Sequence, residues 1–387
     1  MSKEKRIAVL ISSTFGYQRQ ILRGIYQYSN DNPDWVLRRL DPDHMELRTV
    51  KDWHTDGIIS FIGNAQQLEQ FASLRIPLVN TSAYISEQKV PQVVIDNEEI
   101  GRQAAEYLVG LGFRHCAYYG KPWVPFSQIR GEVFKATLIR LGAHCAEDLI
   151  LQDGPPGSNL PKIWTENEAE TYRWLLGLPK PVGIFALHDI AARYLAEFCL
   201  HRKIRIPAEV AILGVDNEDV ECLMTVPPLS SIELCGENVG YEAARMLAQL
   251  MAGEEPPSLD VRLPPRGVIV RGSTDTLAVD DPDISRALRF IHAHASQHIS
   301  VDDILLEVPL SRRTLFTRFR RVMGRTLLEE MNRVHVALAK QLLADEDIPI
   351  RAVATQAGFR SISNLYTVFN ATIGMTPAEF RKSYRRG

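Results

Sequence analysis

The chain repeats itself near its C-terminus at an offset of 50 residues. Ser311, Leu315, Phe319, Gly324 and Thr326 recur as Ser361, Leu365, Phe369, Gly374 and Thr376, while Thr317 recurs as Thr367 and Phe316 is answered by Tyr366. A duplicated unit has to bury the same stripe twice, so each copy needs the same cap, the same inward residues and the same stop. Each copy reads as a short helix, a turn, a second helix and a glycine stop. Ser311 is predicted to cap a helix that runs to Met323 with Leu315, Phe319 and Val322 inward. Ser361 or Ser363 caps the counterpart at Asn364–Ala371. Val301–Glu307 and Ile350–Ala357 are the preceding short helices, with turns at Pro309 and at Gly358–Phe359. Leu327–Ala344 reads as a long connecting helix, Ile284–His298 as a leading one and GMTPAEFRKSY as a last one.

Charge divides the chain near the same place. Residues 284–387 carry 16 Lys+Arg against 9 Asp+Glu, whereas residues 1–283 carry 28 against 38. Paired helix-turn-helix units on a basic background suit a phosphate backbone, with each second helix offered to a major groove. On periodicity alone, a plain helical bundle with a solvated arginine face would read the same. The exposed positions differ between copies, as reading two DNA segments requires. They are Arg312, Arg313 and Thr317 in the first copy, and Arg360, Ser361, Ile362, Ser363, Tyr366 and Thr367 in the second. Arginine can read guanine, and Ile362 can meet a thymine methyl. Arg318, Arg320 and Arg321 suit phosphates.

At 387 residues the chain is too long for one core. Residues 1–280 alternate short apolar strands with amphipathic helices. The strands are expected at Ile7–Ile11, Gly57–Phe61, Leu78–Asn80 and Val93–Ile95, then at Cys116–Tyr119, Ile184–Ala186 and Val210–Gly214. The helices are expected at Gln18–Tyr28, Gln128–Leu141, Ile190–His201 and Gly240–Met251, with Asp96–Asn97 capping one at Glu98–Gly110. Such alternation predicts parallel sheets covered on both faces. The expectation is an α/β sensor of two lobes, one over about 5–113 and 236–270 and the other over about 114–235. An all-α domain with two helix-turn-helix units follows at 281–387, after a boundary at Leu277–Asp283.

The five cysteines are scattered without a metal-ligand spacing, and read as reduced residues of a cytosolic protein. The N-terminal apolar run is too short for a signal segment or a span, so no membrane is expected. No nucleophile elbow, P-loop or GxGxxG string is present. The adjacent pair His188–Asp189 cannot by itself serve a nucleophile. Neither an enzyme, nor a cofactor, nor a metal is expected.

Several strings carry a resemblance: DGII at 56–59, VVIDNEEIGRQAAEYLVGLGFRHCAYYG at 93–120, IFALHDIAAR at 184–193, RIPAEVAILGVDNED at 205–219 and GYEAARML at 240–247. Through them the body resembles the effector domain of LacI/GalR-type regulators, which share the fold of periplasmic sugar-binding proteins. Those regulators carry a DNA-binding headpiece before the first strand, and this sequence starts with no room for one. The resemblance implies a sugar in the cleft. A sugar calls for carboxylate and guanidinium partners and for aromatic rings against its C–H faces. Asp216 and Asp189, each at a strand end, and Arg130, at a helix start, match positions that bind ligand in that family. Ser13, Phe15 and Tyr17 follow the first strand and can line the opposite wall, and Trp123 or Phe126 can stack on the ring. Plainer roles stay open: an N-cap for either Asp, a surface helix position for Arg130, core filling for Trp123 and cover of a helix terminus for Tyr17.

The tail resembles the AraC/XylS-type DNA-binding domain over about 100 residues, through LSRRTLFTRFRRVMG at 310–324 and IRAVATQAGFRSISNLYTVFNATIGMTPAEFR at 350–381. Val308–Pro309 departs from the small residues usual at the first turn. Sensor and tail together resemble regulators of bacterial xylose operons. This implies a cytoplasmic, nucleoid-associated transcription activator that responds to D-xylose or another pentose such as arabinose. It also implies a homodimer on promoter DNA with tandem half-sites, in reach of RNA polymerase. A repressor is the alternative mode, and a sugar-binding module without regulation the remaining one.

Overall fold

The computed structural model describes residues 4–41, 47–85, 90–146, 148–150, 168–275, 279, 281–345 and 348–385. The first lobe takes β1 (Lys5–Leu10), α1 (Gly16–Asp31), β2 (Trp35–Leu40), α2 (Leu47–Asp52), β3 (Gly57–Ser60), α3 (Ala65–Ala72), β4 (Leu78–Asn80) and β5 (Gln92–Ile95) in turn. The chain then crosses into α4 (Asn97–Gly110), β6 (His115–Gly120), α5 (Pro125–Arg140), β7 (His144–Cys145) and β8 (Leu149–Ile150). The second lobe continues with α6 (Glu168–Gly177), β9 (Val182–Ala186), α7 (Asp189–His201), β10 (Val210–Asp216), α8 (Asp219–Leu223) and β11 (Ser230–Glu233). The chain returns through α9 (Gly236–Met251) and β12 (Asp260–Leu263), and crosses once more to β13 (Gly267–Ile269).

The first sheet runs β12-β5-β4-β3-β1-β2 and is parallel throughout. The second runs β13-β11-β10-β9-β6-β7, with β8 beside β6, and only β13 is antiparallel. Central strands such as Val182–Ala186 are buried along their whole length, as helices on both faces require. This is the expected two-lobed α/β architecture, but the crossing point differs from the expected one. The helix from Asn97 packs on α5, not on the first sheet, because its Ile100–Ala104–Leu108 stripe faces the second lobe, where Leu108 meets Gly183. The crossing therefore lies at Asp96–Asn97. Residues 267–269 likewise pair with the second sheet, not the first.

The C-terminal part is all helical: α10 (Pro282–Ala293), α11 (Val301–Glu307), α12 (Arg312–Met323), α13 (Leu327–Asp345), α14 (Ile350–Gln356), α15 (Ile362–Ile373) and α16 (Pro377–Arg385). Its two repeats use the same local devices. The Ser311 hydroxyl accepts the Thr314 N–H at 3.2 Å, and the Ser361 hydroxyl accepts that of Asn364 at 3.1 Å. Gly324 and Gly374 end the two helices at φ 72° and 80°, a conformation that costs glycine little. The Thr326–Glu329 and Thr376–Glu379 pairs then cap the next helices reciprocally. Three details depart from the sequence reading. Met323 is buried where Val322 was expected to be. The leading helix stops at Ala293 with His294 as its C-cap, and Ser300 and Asp303 form a capping box for the next helix. The second helix of the second repeat opens at Ile362 instead of Asn364, with Ser361, one of the two expected caps, as its cap. The expected boundary at Leu277–Asp283 lies largely outside the described residues.

These helices enclose two cores. One gathers Ile284, Leu288, Ile291, Ile304, Leu315 and Phe319; the other gathers Val353, Leu365, Phe369 and Phe380 with Leu343. The residues of α13 divide between them. Among the described residues, no helix is long and apolar enough to cross a membrane, and the five cysteines are unpaired.

Separate cores should loosen separately. Phe319→Ala and Phe369→Ala each remove a fully buried ring, and each should cost about 3–5 kcal/mol locally. Hydrogen exchange should quicken in residues 301–323 for the first variant and in 350–373 for the second. Equal quickening of both stretches in either variant would mean one cooperative bundle instead.

Candidate ligand cleft and nucleic-acid interface

Strand ends and crossings bring the cleft together, as is usual for open parallel sheets. Arg130, from the first turns of α5, is 4% exposed, which excludes a surface role. Its Nε donates to Asn97 Oδ1 at 2.8 Å, and its Nη1 donates to the Leu187 carbonyl at 2.5 Å. Its guanidinium carbon lies 4.9 Å from the centre of the Phe126 ring. Burial lowers its pKa, and Asp216 is the main group opposing that.

Asp216 ends β10 at φ 112°, followed by Asn217 at 51°. Both values are unfavourable for residues with a Cβ, and such strain gathers where a side chain has to be aimed. Asn217 holds the bend: its N–H donates to Ser231 Oγ at 3.0 Å, its Nδ2 to Glu233 Oε1 at 3.1 Å, and its Oδ1 accepts from Arg271 at 2.7 Å. Among the described residues, the Asp216 carboxylate accepts no hydrogen bond. Burial raises its pKa to about 7, with Arg130 acting downward and Glu218 upward.

Tyr17 faces this pair from the first lobe. Its hydroxyl is buried near the Ile95 backbone but meets no partner in hydrogen-bonding geometry, and burial raises its pKa strongly. Gln18 Oε1 and Glu218 Oε2 are buried and unpartnered in the same way. A run of rings leads from Tyr17 to Phe61 at 6.5 Å, Tyr84 at 6.0 Å and Phe126 at 5.0 Å. Arg19 of the first lobe meets Glu218 of the second at 2.7 Å, so an ion pair joins the lobes across the cleft.

The sequence candidates fall into three groups. Tyr17, Phe126, Arg130 and Asp216 come together. Ser13, Phe15 and Trp123 are exposed, Phe15 at 39% and Trp123 at 52%. Asp189 is buried, but its own protein occupies it: Oδ1 accepts from Ser231 Oγ at 2.6 Å, and Oδ2 from the Glu218 N–H at 2.9 Å and from Cys222 at 3.4 Å. It braces the loop that carries Asp216, and the cap of α7 is His188, whose Nδ1 accepts the Ala191 N–H. Burial and the nearby Arg130 and Lys121 push the His188 pKa down to about 3, so its ring is neutral. Asn97, Glu218, Phe61 and Tyr84 were not among the candidates. From the sequence Asn97 reads first as part of a cap, but the cap is Asp96, which accepts the Glu99 N–H at 3.0 Å.

On the helical side, Arg313, Thr317, Arg320 and Arg321 lie exposed on α12, while Arg312 is paired with Asp302. Arg318 points elsewhere: it holds Asp281 and, at 3.1 Å, Asp283 at the start of α10, so its charge is neutralised within the fold. Arg360, Ser361, Ile362, Ser363 and Thr367 form an exposed face at the start of α15, with Tyr366 half-buried beside them. Within that face the Ser361 hydroxyl is the cap, and Thr367 Oγ1 donates back to the Ser363 carbonyl at 3.0 Å.

The shifted Asp216 has a consequence for stability. The unfolded chain loses this proton near pH 3.8, and the folded chain keeps it to about 7. Stability should therefore fall as pH rises between those values and level off above them. Thermal midpoints at about pH 5 and about pH 8 should drop more in the wild type than in Asp216→Asn. Parallel pH curves for the two proteins would contradict the burial of this charge.

Residues 6–98 match the XylR N-terminal domain family, residues 105–274 the periplasmic binding protein-like domain family, and residues 305–383 a helix-turn-helix domain family. The xylose operon regulatory protein of Escherichia coli K12 is 28% identical over 396 residues, covering 98% of this chain and 97% of its own. The xylose operon regulatory protein of Haemophilus influenzae is 29% identical, covering 97% and 98%. A solved structure of the xylose-binding transcription activator xylR aligns with TM-score 0.62 at 26% identity, covering 98% of each chain. Along nearly its whole length the chain is a homologue of the xylose operon regulatory proteins, and it joins a periplasmic binding protein-like domain to a helix-turn-helix domain.

Proposed function

We propose that the chain is a sugar-responsive, DNA-binding regulator of transcription and an activator of a xylose operon, with D-xylose as effector. The observation that carries this reading is the cleft. Arg130 and a carboxylate free of hydrogen bonds face buried polar atoms without partners, between aromatic walls. A small polyol supplies donors and acceptors for those atoms and C–H faces for the rings. Full-length similarity to regulators of xylose operons favours a pentose. The relatives are regulators, and the chain is not an enzyme.

In this reading residues 1–280 sense the sugar and residues 281–387 are an AraC/XylS-type reader. The doubled cap, stripe and glycine stop support that type, as do the strings at 310–324 and 350–381. Arg313 and Thr317 reach bases in one major-groove segment; Ile362, Ser363 and Thr367 reach them in the next. Arg320 and Arg321 meet phosphates. The regulator works in the cytoplasm on the nucleoid, as a homodimer on tandem half-sites beside RNA polymerase. Sugar acts only if it binds one arrangement of the lobes better than another.

Calorimetry with D-xylose, L-arabinose, D-ribose and D-glucose tests the effector. Selective binding of D-xylose, weakened by about tenfold or more in Asp216→Asn and Arg130→Ala, is expected. Preference for L-arabinose would keep the cleft and change the operon; binding untouched by both variants would remove the cleft. On DNA, Arg313→Ala should cost about 1–3 kcal/mol and relax the preference at one base pair. Arg320→Ala should instead weaken all sequences alike and lower the salt slope by about 1. Identical salt slopes and sequence preferences in all three proteins would rule out this docking.

A further inference from the structure

The helical part rests on the second lobe. Lys340 of α13 lies 3.6 Å from Glu99 of α4, and Gln341 Nε2 donates to the Val268 carbonyl of β13 at 3.0 Å. Arg325 donates to the Gly110 carbonyl at 3.0 Å, where the end of a helix favours a cation. Arg114, just beyond α4, donates to the Val322 carbonyl at 2.5 Å. Glu330, fully buried, presets this side of the contact: it takes Arg325 at 2.5 Å, Arg333 at 2.7 Å and His292 at 3.1 Å. Between these points the surfaces are not filled. A cavity of about 1230 Å³ separates α4 and β13 from α10 and α13, lined in part by Tyr107, Val268, Arg289 and Gln341. Spaced polar contacts around a gap can shift without opening an apolar core.

The first turn of α4 touches both the cleft and α13. Asn97 and Glu99 stand two residues apart, about 200° around the helix. Asn97 accepts from Arg130 in the cleft, and Glu99 meets Lys340 on the other side. One turn on, a Cβ at Gly101 would come 2.5 Å from the Arg130 carbonyl, so α4 and α5 are too close to slide past each other. We propose that the first turn of α4 is a relay: the Arg130–Asn97 contact sets Glu99 against Lys340, and Lys340 sets α13 and the two helix-turn-helix units it joins. This rests on reading the cleft as the effector site and the helices as the DNA reader.

A double-mutant cycle in the full chain without sugar tests the relay, with hydrogen exchange of residues 327–345 as the readout. Asn97→Ala should speed exchange there by about threefold or more, as should Lys340→Met, while residues 182–186 and 210–216 stay unchanged. The double variant should exchange no faster than Lys340→Met alone. Multiplying effects, or no response of α13 to Asn97→Ala, would overturn the relay. Arg130→Lys enters the same cycle from the cleft if Asn97→Ala disturbs residues 182–216. Calorimetry with pentoses on the same samples judges the effector reading separately, because the cycle contains no sugar.

Discussion

A guanidinium as buried as that of Arg130 has to be compensated on every side, because an uncompensated buried charge costs several kcal/mol. Its compensation comes from segments far apart in the chain: Asn97 at a crossing, the Leu187 carbonyl after β9, Asp216 at the bend of β10 and Phe126 one turn earlier on α5. Satisfying one cation therefore fixes where these segments meet. It also accounts for the backbone strain at Asp216, since a relaxed strand end would aim the carboxylate elsewhere. The loop that holds the strain is braced from behind by Asp189, which receives Ser231 and the Glu218 N–H. One acidic residue is thus consumed in positioning another.

The helical part obeys a different constraint. Its two cores are small, and units of this size are marginal by themselves. They share α13, whose 19 residues span roughly 28 Å and set the separation of α12 and α15. Under the proposed DNA reading, that separation matches successive major-groove segments only while α13 stays straight. The reciprocal Thr326–Glu329 pair secures its N-terminal end. Docking of α13 on α4 and β13 adds support that neither core supplies.

What could be read from the sequence follows from how local each signal is. The repeat was legible because a serine cap, an apolar stripe and a left-handed glycine all act within one helix. The central strands were legible because they are apolar throughout. β2 was not, since it alternates at an edge and carries Arg38 and Arg39. Nor could periodicity assign α4 to a lobe, because an amphipathic helix has the same pattern on either side. In the cleft, the strand-end position of Asp216 and the helix-start position of Arg130 pointed to a site. The partners that separate a free carboxylate from an occupied one lie far off: Ser231 is 42 residues beyond Asp189, and Asp281 is 37 residues before Arg318. Asn97 looked like part of a cap because its contact with Arg130 is 33 residues distant. Sequence shows which residue types are available; only packing shows which of them are already engaged.

The same distinction bears on how a sensor can govern a reader placed after it. A switch needs a difference of about 1–3 kcal/mol between two arrangements, not a tight or a loose joint. The Glu330 cluster is too deeply buried and too fully paired to be the adjustable part, since breaking it would strand a carboxylate with no exposure at all. The carbonyl contacts of Gly110 and Val268 use backbone that the sheet and helix hold in place. Glu99 differs in kind. Arg102 and Gln103 bind it whether or not Lys340 does, so losing Lys340 leaves no bare charge on α4. A contact that can be made or released while Glu99 keeps its other partners is what a small energetic difference can control. In the interface between α4 and α13, that contact lies within one helical turn of the cleft.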